Sequence, residues 1–289
     1  MRDAWRHFRA AVGEFYFELP RMIAVSLIWF IPTIPALWVA FRVVTFIGED
    51  SGADGDALIP MVAFGIQATF FGFLSLVAAG PALAGLHSAV APLARGDLFE
   101  MSRFWLGVRT HFRRAWILAT IDVSIGVVLV LNIWFYWTSE VPGIWLLAIL
   151  FAYGLFAWGC IQPYLFPLLI ELDQKVTLVL RNAVFVAMDN IGLTLGMFAI
   201  NAVLISIAAP LGAILVPFAL PAILANMHLR AVVTVIERYR ETGRILPRDG
   251  ESVGEGYRPT VPHDEAPVRH QRDEDDARGL GGRPRRLNG

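Results

Sequence analysis

The stretch Ala115–Trp137, AWILATIDVSIGVVLVLNIWFYW, decides the class of this chain. It holds 23 residues and one charge, Asp122. A helix of that length rises about 35 Å, more than the ~30 Å hydrocarbon layer of a bilayer. Arg113 and Arg114 stand immediately before it, and Trp134, Phe135, Tyr136 and Trp137 close it. Basic and aromatic flanks of this kind mark the ends of a membrane span.

Five more apolar stretches of comparable reach flank it, at residues 22–41, 57–86, 141–170, 191–209 and 211–227. The last two meet at Pro210 and read either as two spans or as one long re-entrant pair. The whole composition agrees. Of 289 residues 56% are hydrophobic and 17% charged, where soluble domains carry about 25% charge. The single cysteine, Cys160, excludes an intrachain disulfide framework and a cysteine-cluster metal site. Lys175 is the one lysine and follows no glycine-rich loop, which excludes a P-loop. A net charge of −1 gives no bias toward nucleic acid. The expected fold is an all-α, polytopic transmembrane bundle of about six spans.

Arginine placement sets the expected topology. Arg2, Arg6, Arg9 and Arg21 precede the first span. Arg95, Arg103, Arg109, Arg113 and Arg114 fill the connection at 87–114, and Lys175 and Arg181 that at 171–190. Arg230, Arg238, Arg240, Arg244 and Arg248 follow the last span. Apart from Arg42, the alternate connections carry no Lys or Arg, and the first of them holds Glu49, Asp50, Asp54 and Asp56. This alternation predicts a multi-pass protein with both termini cytoplasmic. The chain then divides into an N-terminal interfacial helix (1–21), a transmembrane domain (22–246) and a tail (247–289). The tail has 17 charges and little apolar surface to bury, so it reads as disordered. The opening segment is too mixed in charge, and its apolar run too long, for a signal-peptide core.

Two segments read as basic amphipathic helices lying in the inner headgroup layer. In the first, Trp5, Phe8, Val12, Phe15 and Leu19 oppose Arg2, Arg6 and Arg9. In the second, Asp97 and Glu100 have an acidic capping-box spacing, after which Leu98, Met101, Trp105, Val108 and Phe112 share one face. Arg103, Trp105, Arg109, Arg113 and Arg114 are the candidate contacts to lipid or to a membrane-protein partner. Proline pairs interrupt three spans: Pro32 and Pro35, Pro163 and Pro167, Pro217 and Pro221. Gly192 and Gly196 have the spacing that lets helices approach closely.

Polar groups at membrane depth form the candidate site. Asp122 lies about two turns into its span, where a carboxylate costs about 2.5–3.5 kcal/mol on insertion scales. Asn132 follows on the same span, and Asp189 and Asn190 open the fifth. The set serves either a substrate or proton path, or interhelical ties such as a pair between Asp122 and Arg114. No H-E-x-x-H, G-x-S-x-G or paired intramembrane aspartate occurs, so no catalytic, cofactor or metal site is expected.

Gly80-Pro-Ala-Leu-Ala-Gly-Leu-His87, Arg95-Gly96-Asp97, Phe104-Trp-Leu-Gly-Val-Arg109 and His111-Phe-Arg-Arg-Ala-Trp116 together resemble the YesL-like family of uncharacterised bacterial integral membrane proteins. Tyr164-Leu-Phe-Pro-Leu168 and Arg181-Asn182-Ala183 are similar to further stretches of that family. The first span, with its own P-T-I-P, looks like an addition to the shorter members. The resemblance implies a bacterial plasma membrane and no established catalytic residue. It also implies an accessory or regulatory role beside carbohydrate uptake, with a sugar permease as one partner. The alternative is a small transporter or channel with a polar path near Asp122.

Overall fold

The computed structural model describes residues 2–48, 58–208 and 217–243. Among these residues every regular element is helical. The order is α1 (Arg2–Phe17), α2 (Leu19–Phe30), a 3-10 turn (Ile31–Thr33), α3 (Ile34–Gly48), α4 (Leu58–Ala94) and α5 (Ser102–Trp137). Then follow α6 (Trp145–Leu172), α7 (Val176–Asp189), α8 (Ile191–Ala208) and α9 (Leu220–Glu241). Among the described residues six candidate spans are long and apolar enough to cross a membrane. They are Leu19–Val39, Val62–Ala94, Ser102–Trp137, Trp145–Leu172, Ile191–Ala208 and Leu220–Glu241. The acidic connection at 49–57, the Pro210 turn, the first six residues of the expected sixth span, Arg244, Arg248 and the tail lie outside the described residues.

Two helices, α4 and α5, are longer than the apolar runs that announce them. The connection 87–114 is mostly helix: its first part extends α4 to Ala94, and its second part is the start of α5. Nothing between Arg103 and Ala115 breaks a helix, so the basic amphipathic segment and the span that follows are one rod. At 36 residues α5 is about 54 Å long, and its first 13 residues project about 20 Å beyond the apolar run. The Asp97–Glu100 spacing does not cap it. Met101 is the N-cap and has no side-chain cap bond, while Glu100 accepts from Arg103 at 2.6 Å.

The proline pairs behave differently from one another. In the first span the break is real, a 3-10 turn at Ile31–Thr33, and α4 repairs it. Ser75 Oγ accepts from the Ala36 N–H at 2.9 Å and donates to the Pro32 carbonyl at 2.8 Å. Its hydroxyl thus bridges a gap in the i→i−4 ladder, as a helix kink in an apolar medium requires. The expected break at Pro163 and Pro167 does not occur. α6 runs continuously through both, and both are buried with Tyr164, Leu165, Leu168 and Leu169. Pro221 sits in the first turn of α9, where its missing N–H costs no helical bond.

α4 and α5 form the closest seam. A Cβ on Gly80 would lie 2.7 Å from Ala119 Cβ and 2.8 Å from the Ala115 carbonyl oxygen. One on Gly107 would collide with Ser88. Gly80 opens the G-P-A-L-A-G motif, so close backbone approach is the physical content of that motif at this position. The apolar core is continuous across α4, α5, α6, α7, α8 and α9, with Tyr164, Leu118, Met197 and Met227 among its filled positions.

α1 packs against α8 and α9. Ala4 and Ala11 are buried, and Phe8 and Phe15 pack against the core, one step every three or four residues. Trp5 and Val12, read from sequence as part of the same apolar face, are exposed. The N-terminal helix is therefore docked on the bundle along one face and offers Arg2, Trp5, Arg6 and Arg9 on the other.

Candidate functional site

The four intramembrane polar candidates do not converge. Asp122 Oδ1 accepts from Trp158 Nε1 at 3.0 Å and from Gln162 Nε2, both on α6. Trp158 and Gln162 are one helical turn apart, which places both donors on the face that meets α5. Arg114, the cation considered for Asp122, is engaged elsewhere. Its Nη2 lies 2.6 Å from Asp173 Oδ1, and its Nη1 donates to the Asp173 carbonyl at 2.7 Å. Asn132 donates to the Val128 carbonyl of its own helix at 2.7 Å. Asp189 and Asn190 tie the α7–α8 corner to α9. Tyr239 OH donates to Asp189 Oδ2 at 2.7 Å, and Asn190 Nδ2 donates to Tyr239 OH at 3.0 Å.

Asp122 also lines a shallow lateral groove with Gly126, Phe156, Trp158, Gln162 and Phe198. Its walls are mostly apolar. Deeper polar residues tie helix to helix: His228 Nε2 donates to Asn201 Oδ1 at 3.1 Å, linking α9 to α8. Tyr164 and Thr194 share a hydrogen bond of 2.7 Å, linking α6 to α8.

The ionic chemistry gathers at the arginine-bearing ends of the helices, and most of it was invisible in sequence. Arg95 pairs with Glu171 at 2.5 Å across α4 and α6. Asp173, the residue that ends α6, has a left-handed backbone (φ 49°, ψ 38°). That conformation is uncommon outside glycine and asparagine or aspartate, and the Arg114 clamp on its carbonyl and carboxylate fixes it. Glu14 of α1 accepts from Arg230 and from Asn226 Nδ2, both on α9, and Arg230 Nη2 also donates to the Leu93 carbonyl at 2.9 Å. These partners are 59 to 216 residues apart in sequence, so no local spacing announces them.

The candidate contact helix divides into two faces. Phe104, Gly107, His111, Ala115 and Leu118 are buried against the bundle. Trp105, Arg109, Phe112 and Arg113 form an exposed stripe on the other side, with Trp105 53% exposed. Among the described residues the Arg109 and Arg113 side chains make no ion pair or hydrogen bond. Arg103 and Arg114, the other two candidate arginines, are held by Glu100 and Asp173. Met101 and Val108, expected on the Trp105 face, instead pack partly into the core.

Among the described residues an all-helical bundle with six membrane-length apolar helices and one end knitted by ion pairs defines a polytopic membrane protein. The chain is similar to an uncharacterised protein, YteU, of Bacillus subtilis (strain 168). The two are 28% identical over 181 residues, which is 60% of this chain and 79% of YteU. No family model and no solved structure matches it.

Proposed function

We propose that this chain is a non-enzymatic accessory or regulatory protein of a bacterial plasma membrane, with its arginine-bearing end and both termini in the cytoplasm. The observation that carries the reading is the stripe Trp105–Arg109–Phe112–Arg113. It stands on a rod that projects beyond the apolar layer, faces away from the bundle, and holds two guanidiniums without partners among the described residues. Aromatic rings beside unpaired arginines suit both the anionic inner leaflet and the surface of another membrane protein. The filled apolar core supports this role over a transporter, as do the neutral donors around Asp122. Placement in the YesL-like family, and with it a sugar permease as the partner, rests on the Gly80–Trp116 resemblance.

The test compares native-membrane purification of the wild type with that of a Trp105→Ala/Arg109→Ala/Arg113→Ala variant. The reading expects a defined membrane protein to accompany the wild type and to be lost from the variant, with the variant still inserted and folded. Recovery of the same partner with both proteins overturns the stripe. Autonomous solute flux by the purified chain in proteoliposomes overturns the accessory role.

A further inference from the structure

Asp122 ties α5 to α6 through one oxygen only. Oδ1 accepts from Trp158 Nε1 and from Gln162 Nε2. Among the described residues Oδ2 has no hydrogen-bond partner, yet it is not sealed in the packing. The same holds for Gln162 Oε1, the acceptor left over when the amide nitrogen turns to Asp122. Both side chains line the lateral groove between α5, α6 and α8, a cavity of about 590 Å³. On α6 the groove runs from Gln162 through Gly159 and Phe156 to Ala152, about 15 Å of helix. Apart from Asp122, Gln162 and the engaged Trp158, its lining carries no hydrogen-bonding side chain. The groove thus has a polar end with two open acceptors and an apolar remainder.

No cation of the chain completes the polar end. Arg114, the nearest arginine along α5, is held by Asp173, and both donors to Asp122 are neutral groups. At membrane depth there is no water to supply the missing donors. The complementary group therefore brings several N–H donors, a positive charge and no anion. A hydroxyl brings one donor, and a quaternary ammonium brings none. A phosphate-bearing headgroup brings a charge that the carboxylate repels. A primary ammonium brings three donors and one positive charge. Phe156, Trp158 and Phe198 line the same space, and aromatic faces attract cations.

We propose that this groove binds a lipophilic primary amine, its ammonium donating to Asp122 Oδ2 and Gln162 Oε1 and its hydrocarbon part lying along α6 toward Ala152. Apolar walls with a few convergent polar groups, at this volume, are the usual anatomy of a small-molecule site. Asp122 lies about 12 Å along α5 from Arg114, so an amphiphile reaches it sideways from the headgroup layer, through the open side of the groove. Binding leaves the Oδ1 tie intact and needs no path across the bundle. The site is separate from the docking stripe, which belongs to the projecting part of α5.

The test is saturable binding of radiolabelled dodecylamine to the full chain in phosphatidylcholine nanodiscs, with competitors of the same chain length. Dodecanol and dodecyltrimethylammonium are each expected to compete at least about tenfold more weakly than unlabelled dodecylamine, the value of one charge-assisted hydrogen bond. Asp122→Asn keeps an acceptor for Trp158 and Gln162 but removes the charge and sets an amide nitrogen in place of Oδ2. It is expected to weaken amine binding at least about tenfold. A Cβ at Gly126 would meet no atom within 4 Å, so Gly126→Leu fills the groove without a clash. It is expected to abolish saturable binding with an undiminished ligand-free melting temperature. Equal competition by dodecanol overturns the charge requirement and with it the proposal. Equal competition by dodecyltrimethylammonium overturns the N–H requirement and does the same. Wild-type binding by folded Asp122→Asn or by Gly126→Leu overturns the site, and Gly126→Leu decides the matter if Asp122→Asn fails to fold.

Discussion

The two halves of α5 solve the same problem with different chemistry. In the projecting half, the side chains facing α4 and α6 meet charges: Arg114 clamps Asp173, and Arg95 and Glu171 pair beside it. In the apolar half, one carboxyl at Asp122 is held by an indole N–H and an amide, with no ion pair among the described residues. Charge can be exposed to water and headgroups at one end, so ion pairs there need only modest geometry. At membrane depth water is absent, and every polar group must find a partner within the protein. The same reasoning explains why Ser75, Thr194 and Asn201 act as ties within the bundle, whereas Arg109 and Arg113 remain outward.

The sharpest way to break the contrast is at the ionic end. Arg230→Ala removes the partner of Glu14 and leaves that partly buried carboxylate with Asn226 alone. It also frees the Leu93 carbonyl. Loss of one member of a buried pair costs about 3–5 kcal/mol, and the partial exposure here puts the expected cost at about 2–4 kcal/mol. The melting temperature in detergent reads it. Protease cleavage within α1 is expected to rise first, because Glu14 is the ionic tie between that helix and α9. The double variant Glu14→Gln/Arg230→Met should recover more than half of the loss, since it leaves no unpaired charge. Equal destabilisation by both would show that packing, not charge, holds α1.

The apolar half should respond less. Asp122→Asn keeps an acceptor for Trp158 and Gln162 and should change stability by under about 1 kcal/mol. Asp122→Ala strands both donors and should cost about 1–3 kcal/mol. An intact protein with Asp122→Asn that loses solute flux in proteoliposomes would convert this tie into a transport site. Indifference of function to the change supports the structural role.

The class of fold was legible because periodicity and length act locally: each apolar run names its own helix. The gathering of arginines at one end was legible for the same reason, through their alternation. What lay hidden were pairings. Arg114 was compared with Asp122 because they share a helix, but Asp173 arrives from the end of α6. Ser75 carries no signal in an apolar run, yet it completes the Pro32 break. On α5 Trp105 and Phe112 stay outside the bundle, but Met101 and Val108 of the same expected face pack partly into the core, and small Gly107 and polar His111 point inward. Hydrophobic periodicity assumes a core on one side and water on the other, and a helix between protein and lipid violates that assumption.

The smallest expected effect bears on the ionic end as a function of pH. His7 lies on α1, partly buried, with Asp3 and Arg6 near it on its own helix and Arg230 and Arg238 near it on α9. Burial pushes its imidazole below the ordinary value of 6.5, and the three arginines add to that, against an opposing pull from Asp3. Docked α1 therefore binds fewer protons at His7 than undocked α1 does. Its docking is complete above the ordinary histidine value and weakens as pH falls from about 7 toward 5. Asp3 is held below the usual carboxylate range chiefly by its hydrogen bond to Arg6, so it stays ionised across that window. The expected signature is faster amide exchange in α1 at pH 5 than at pH 7, beyond the intrinsic pH effect, with α6 unchanged. His7→Gln should flatten the difference, and Arg230→Ala should move α1 to the fast regime at both pH values. A pH effect that survives His7→Gln would assign the sensitivity to another titratable group at the α1–α9 contact.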